Sequence, residues 1–211
     1  WRERFASEQS FFIRQKCRVL EEELARRRPS GGRLRVLDAG CGHGTAFQFL
    51  RGAHTVIGSD VSLPMLQVAK REGPVAVQEA LAFPFADGAF DAAFAFCVYH
   101  HIDVRDRVRH LRELRRVVRP GGVVAVFEHN PFNPVTRVIF RRATVDRGCQ
   151  MIYPSVLRRM FVDAGLVDVS VGYLLFMPER VAAVIGFVED ALRWLPLGGQ
   201  YFLSATVPGR L

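Results

Sequence analysis

Between Asp38 and Gly44 the chain reads DAGCGHG, three alternating glycines between an apolar run and a helical pattern. Glycine is costly inside regular structure and useful where backbone must turn tightly or let a ligand come close. A strand, a glycine-rich turn and a helix N-terminus together present free backbone N–H groups, which suit an anion or a nucleotide. The G-x-G-x-G spacing brings the third glycine one residue earlier than the dinucleotide fingerprint, and no Gly-Lys-Ser/Thr ending marks a phosphate loop. Asp60 ends the next apolar run about 20 residues on, where a carboxylate can accept both hydroxyls of a ribose. Proton transfer has three candidates, His100, His101 and His129, because an imidazole titrates near physiological pH.

These residues need elements to hold them. Residues 1–28 have apolar positions at helical spacing (Phe5, Phe11, Phe12, Cys17, Leu20, Leu24) and end in three arginines before the breaker PSGG. Five short apolar runs follow, at 34–38, 54–59, 75–79, 90–96 and 122–128, alternating with helical patterns at 44–51, 62–72 and 103–118. Continuous apolar strands separated by helices indicate a parallel sheet covered on both faces. After Glu128 the rhythm breaks into a long connection with two Asn-Pro pairs, read as a lid-like insertion at 130–150 with one short helix. A helix at 154–164, a strand at 166–175, an amphipathic segment at 178–194 and a last strand at 200–207 complete the chain. The expectation is one α/β domain over residues 1–211.

With 211 residues and 49% apolar content the chain can bury a substantial core. No apolar run approaches the ~20 residues that cross a bilayer. The chain starts at Trp1 with no signal-peptide pattern. Cys17, Cys41, Cys97 and Cys149 form no C-x-x-C pair, so free thiols in a cytoplasmic protein are expected, with neither a disulfide framework nor a metal site. Net charge is +8, carried by 27 arginines and only two lysines, Lys16 and Lys70. Such a surface suits solvent, an acidic small substrate, anionic lipid or nucleic acid alike.

Taken in order, the motifs resemble those of the class I S-adenosylmethionine-dependent methyltransferases. VLDAGCGHG is similar to that family's first motif, and VIGSDVSLPMLQVAK to its second strand and following helix. EALAFPFADGAFDAAFAFCVYHHI is similar to the adenine loop and fourth strand, and LRELRRVVRPGGVVAVFEHN to the next helix, turn and fifth strand. The resemblance implies a doubly wound, mostly parallel seven-stranded sheet with helices on both faces and an antiparallel last strand. It implies S-adenosyl-L-methionine as cofactor. By position, Asp38 would hold the cofactor's α-amino group, and Gly40, Gly42 and Gly44 would let backbone approach its methionine and ribose. Asp60 would take the ribose hydroxyls, and Met65 would pack on the adenine. Glu79, where relatives usually carry Asp, and the Ala80 N–H would meet the adenine edge. Phe96 and Cys97 would flank the sulfonium and its methyl group.

In an open α/β sheet, ligands bind beyond the carboxyl ends of the strands, where CVYHHI and FEHNPF fall. Methyl transfer needs the nucleophile aligned and, for a hydroxyl or protonated amine, a proton removed. His129 is the first candidate base, at the mouth of the crevice before the proline-stiffened lid. His100 and His101 adjoin a helix start, where one of them has a structural task. Tyr99 is pocket wall or an acid–base group. HNPF resembles the signature of enzymes that methylate exocyclic amines of bases, but it follows the wrong strand and lacks the second proline. Arg137, Arg141, Arg142 and Arg147 on the lid either grip an anionic acceptor or stay solvated. The stripe Phe176, Val181, Val184, Ile185, Val188, Leu192, Trp194 and Leu195 reads as core or pocket wall, or as an interfacial surface admitting a prenylated quinone at a membrane. The expected activity is methyl transfer to oxygen or nitrogen of a small molecule, anionic or lipid-like. A nucleic-acid methyltransferase has only the basic balance in its favour, and intact Asp38, Asp60 and glycines count against a non-catalytic binding protein.

Overall fold

The run FDAAFAF is apolar at almost every position because both faces of its strand are covered. In the computed structural model, which describes residues 2–27, 32–79, 81–175 and 191–209, that run is β4 (Phe90–Phe96) at the centre of a seven-stranded sheet. Ala93 and Ala95 face one apolar cluster, while Ala92 and Phe94 face the other. The same alternation runs through β1 (Arg35–Ala39) and β5 (Val118–His129). On one side the cover is α4 (Arg107–Val117) and α6 (Pro154–Asp163), through Leu111, Leu114, Leu157 and Phe161. On the other it is α1 (Arg2–Arg27), α2 (Phe47–Leu50) and α3 (Leu63–Ala69), through Leu20, Leu24, Phe47, Leu50 and Leu66. Each such side chain contributes about 1.5–3 kcal/mol by leaving water.

With β2 (Thr55–Asp60), β3 (Val75–Val77), β6 (Val167–Leu174) and β7 (Gln200–Thr206), the strand order is β3-β2-β1-β4-β5-β7-β6. β7 is antiparallel to both of its neighbours, and all other pairings are parallel. The chain moves outward from β1 in both directions, so the switch point lies between β1 and β4, and a crevice opens at their carboxyl ends. The expected fold class is therefore the observed one.

Several boundaries differ from the pattern reading, each for a local reason. β3 stops at Val77. The pattern at 44–51 is half turn, with α2 confined to 47–50, and α3 spans 63–69 rather than 62–72. A 3₁₀ turn at Tyr99–His101 comes between β4 and α4, which starts at Arg107 rather than at residue 103. β5 starts at Val118, because Pro-Gly-Gly is absorbed by a register shift between Phe90 and Ala92 instead of making a free turn, and it includes His129. In α1, Phe12 is exposed rather than core. Of the stripe expected near the C-terminus, Trp194 is 74% exposed, Leu192 and Leu195 are half-buried, and the residues from 176 to 190 lie outside the described region. Among the described residues no helix is long and apolar enough to cross a membrane.

The segment after β5 carries α5 (Pro134–Arg142). Two asparagines, more than its prolines, hold it. The buried Asn130 amide donates to the Pro196 and Gly198 carbonyls at 3.0 and 2.7 Å. The Asn133 side chain accepts the Thr136 N–H at 2.9 Å, capping α5, with Pro134 in the first turn where its missing N–H costs nothing.

Candidate active site

The half of the crevice over β1 and β2 is made largely of backbone. The N–H groups of Gly40 and Cys41 both donate to the Ser59 carbonyl, at 2.7 and 2.9 Å. Gly40 and Gly44 have φ of +76°, the left-handed region. A Cβ on Gly40 would stand 2.6 Å from Val98, and one on Gly44 3.1 Å from Ala69, so packing as well as conformation requires glycine. Asp60 closes the loop from the far side: Oδ2 accepts the Gly42 N–H at 2.9 Å and Oδ1 the Ser62 N–H at 2.8 Å. Half-exposed Met65 faces Gly42. Asp38 is buried at the end of β1, where burial and the nearby Asp60 push its carboxyl up to about 8 against the pull of Lys16. Glu79 is exposed just beyond β3, and Ala80 lies outside the described residues.

The other half draws on the whole chain. A cavity of about 340 Å³ is walled by Lys16 from α1, Phe96 and Cys97 after β4, His100, His129, Asp146 and Gln200. Phe12, Ile13 and Val145 supply its apolar side. His129 and Gln200 are register partners across β5 and β7. Cys97 sits at φ +57°, with Lys16 Nζ at 3.6 Å and Gln200 Nε2 at 3.4 Å from its sulfur. Burial alone would raise its thiol, but Lys16 and His129 beside it bring it down to about 7. Burial also disfavours charge on His129, yet Cys97 and Glu128 hold its imidazole above the ordinary value. The side-chain carbonyl oxygen of Gln200 is buried with no hydrogen-bond partner among the described residues, an acceptor left for something that enters the cavity.

The histidine pair divides. His100 is buried, with Nδ1 2.6 Å from Glu128 Oε2 and Nε2 3.3 Å from Asp146 Oδ1. Burial disfavours its imidazolium, but Glu128 outweighs that and raises it to about 9. The same pairing keeps buried Glu128 below the usual carboxylate range, and Glu128 also accepts the Tyr99 N–H at 2.8 Å. His101 is partly exposed, with Nε2 3.5 Å from the same Asp146 oxygen. Tyr99 is fully buried with its hydroxyl 2.8 Å from His110 Nδ1, so it is core and neither wall nor acid. Arg137, Arg141, Arg142 and Arg147 are all exposed, and none of them walls the cavity.

The structure thus brings Asp38, Gly40, Gly42, Gly44, Asp60, Phe96, Cys97, His100 and His129 to one edge of the sheet. Pattern reasoning missed Lys16, Glu128, Asp146 and Gln200. Glu128 had a signal, a carboxylate inside an otherwise apolar strand. The other three had none that spacing could reveal.

A doubly wound sheet with a glycine loop, a carboxylate ending β2 and a cavity past β4 defines a nucleotide-binding α/β enzyme class. Comparison with known proteins agrees. Residues 37–126 match a family described as a methyltransferase domain. A demethylmenaquinone methyltransferase of Thermus thermophilus is 34% identical over 168 residues, covering 71% of this chain and 66% of that protein. A tRNA (carboxymethyluridine(34)-5-O)-methyltransferase of Arabidopsis thaliana is 37% identical over 93 residues, 43% of this chain and 23% of the relative. The crystal structure of an S-adenosylmethionine-dependent methyltransferase of Thermotoga maritima, a possible histamine N-methyltransferase, superposes with a TM-score of 0.68 at 18% identity, covering 93% of this chain and 99% of that one. The chain spans between 20% and 44% of the length of the first curated relatives it matches. It belongs to the class I S-adenosylmethionine-dependent methyltransferases. The cofactor of that family is S-adenosylmethionine.

Proposed function

We propose that this chain transfers the methyl group of S-adenosylmethionine to an oxygen or nitrogen of a small molecule seated beside Cys97. The carrying observation is the cavity itself: it adjoins the loop-and-carboxylate half and presents both an orphaned acceptor, Gln200 Oε1, and a histidine, His129. The residues present fit the cofactor. Asp38 offers a buried carboxyl for an α-ammonium, and Asp60 keeps spare lone pairs for ribose hydroxyls after accepting two N–H groups. When bound, the cofactor supplies an activated methyl group for in-line displacement.

The chain's own groups then align the acceptor and handle its proton. His129 is the general base, accepting the proton of a hydroxyl as its oxygen attacks, or that of an ammonium before the freed amine attacks. His100 is not, because both of its nitrogens are committed to carboxylates. His101 stands further out on the lid side. Lys16 favours an acceptor with anionic character. Its volume is at the lower end of the range for small-molecule sites, so it holds one ring or a short acid.

A second reading has an observation of its own. Phe12 and Val145 leave apolar surface exposed at the mouth, and the Thermus relative is a demethylmenaquinone methyltransferase. A quinol head group in the cavity with its prenyl tail lying across that mouth fits both. The tRNA relatives align over less than half of this chain, and an RNA acceptor would rely on the exposed arginines rather than on the cavity.

An acceptor screen with labelled methyl donor tests this. Phenols, hydroxy acids, amines and short- and long-tailed quinols are offered beside transfer RNA. Label in a small acid or phenol supports the first reading, and label only in long-tailed quinols the second. Label only in RNA, with affinity falling steeply with salt, or no label in any acceptor overturns both.

A further inference from the structure

His100, His101 and Asp146 are close enough to share one ion. His100 Nε2 lies 3.3 Å and His101 Nε2 3.5 Å from the same Asp146 oxygen, and the three residues can each offer a ligand atom within 4.8 Å of the other two. Zinc bonds to nitrogen and oxygen of about 2.0–2.1 Å at tetrahedral angles put neighbouring ligand atoms about 3.3–3.4 Å apart. The observed separations from Asp146 match those edges to within a few tenths of an ångström.

The geometry points to a binding site for a divalent cation of the zinc class, formed by His100 Nε2, His101 Nε2 and Asp146 Oδ1, of which His100 and Asp146 line the acceptor cavity. The opposite nitrogen of each ring is occupied in the way such a site requires. His100 Nδ1 is held by buried Glu128 at 2.6 Å, and His101 Nδ1 meets Cys149 Sγ at 3.3 Å. A metal-bound histidine characteristically gives its second nitrogen to a carboxylate or another acceptor, which fixes the tautomer and aims the ring. An imidazolium at His100, with two N–H donors, explains its own contacts to Glu128 and Asp146. It does not bring the His101 nitrogen to the same Asp146 oxygen, whereas a shared cation accounts for both rings.

Three protein ligands, two of which (His100 and Asp146) line the cavity, leave a fourth position for a non-protein ligand, as in an open site rather than a closed structural one. The ligand such a position takes is an oxygen: water, or a hydroxyl or carboxylate of the acceptor, whose proton the cation makes easier to remove. The site also joins the segment after α5 to the centre of the sheet, because Asp146 comes from the former and His100 is fixed to Glu128 of β5. None of this involves the donor half, so the proposal stands or falls apart from methyl transfer.

The test is titration of the chelator-treated protein with Co²⁺, read by visible absorption, followed by competition with Zn²⁺ in a calorimeter. One equivalent per chain, with an intense tetrahedral-type spectrum lacking thiolate charge transfer, is expected. His101→Asn and Asp146→Asn should each weaken binding by about 100-fold or more. Unfolding midpoints measured in chelator confirm that both variants fold. Should Asp146→Asn not fold, His101→Asn decides alone, since His101 is partly exposed. No binding in the wild type, a thiolate-type spectrum, or equal affinity in wild type and His101→Asn would overturn the site.

Discussion

The half of the crevice proposed for the methyl donor comes from one stretch, Asp38 to Met65, whereas the half proposed for the acceptor takes Lys16, Cys97, His100, His129, Asp146 and Gln200 from almost the whole chain. In the donor half the working groups are backbone N–H donors and two carboxylates at strand ends. In the acceptor half they are side chains, several of them charged and buried, that hold one another in place. A backbone-built site is kept by conformation, so its residues are free to be tuned for a ligand. A side-chain-built site is kept by mutual pairing, so removing one member leaves another uncompensated. Sensitivity of the fold should therefore concentrate on the acceptor side, and sensitivity of cofactor binding on the donor side.

The largest contrast is in stability. Glu128→Leu strips His100 of its buried partner and leaves the Tyr99 N–H without an acceptor, which should cost about 3–5 kcal/mol in denaturant unfolding. Asp38→Asn should cost little, because that carboxyl is already mostly protonated at pH 7. Similar losses in the two variants would erase the distinction between the halves.

Next comes turnover. His129→Ala should lower the methylation rate by roughly 10²-fold or more, with cofactor affinity within about twofold of wild type. Near-normal turnover, or an acceptor bound against His101 instead, would take the base role from His129.

Asp60→Ala is the donor-side counterpart. It removes the carboxylate at the end of β2 and the closure of the loop at Gly42, and should weaken S-adenosylmethionine by about 2 kcal/mol or more in calorimetry. Unchanged affinity would remove Asp60 from the cofactor site.

The smallest effect is on pH dependence. The Asp38 carboxyl is raised to about 8, so it is neutral below that and must ionise to receive an α-ammonium. Cofactor affinity should therefore rise about tenfold from pH 6 to 7 and level off near 8, where the ligand's own amino group begins to lose its proton. Asp38→Asn should flatten the profile. An ordinary carboxylate would give a flat line in the wild type as well, and seeing one would show that Asp38 ionises freely.

How much of this was legible beforehand follows the same division. The donor half was readable because its parts are near in sequence and each is demanded by local geometry: a glycine at φ +76° at positions 40 and 44, a carboxylate where a strand ends. The apolar runs told of strands covered on both faces, and their order fixed the crevice edge. Boundaries slipped where local signals compete with pairing, as at Pro120–Gly122, which reads as a turn yet is carried through β5 by a shifted register.

By itself, then, the sequence determined the alternation of strands and helices, the loop and the two carboxylates, because period, turn chemistry and strand ends act over a few residues. Only the tertiary structure decided what His100 does. Its neighbours in sequence mark a helix start, but its neighbours in space are Glu128 and Asp146, 28 and 46 residues away, and they take up both of its ring nitrogens. It likewise decided that Lys16, Gln200 and His129 meet at Cys97. The physical reason is that Coulomb and hydrogen-bond partners are chosen by distance in the fold, and no spacing along the chain encodes them.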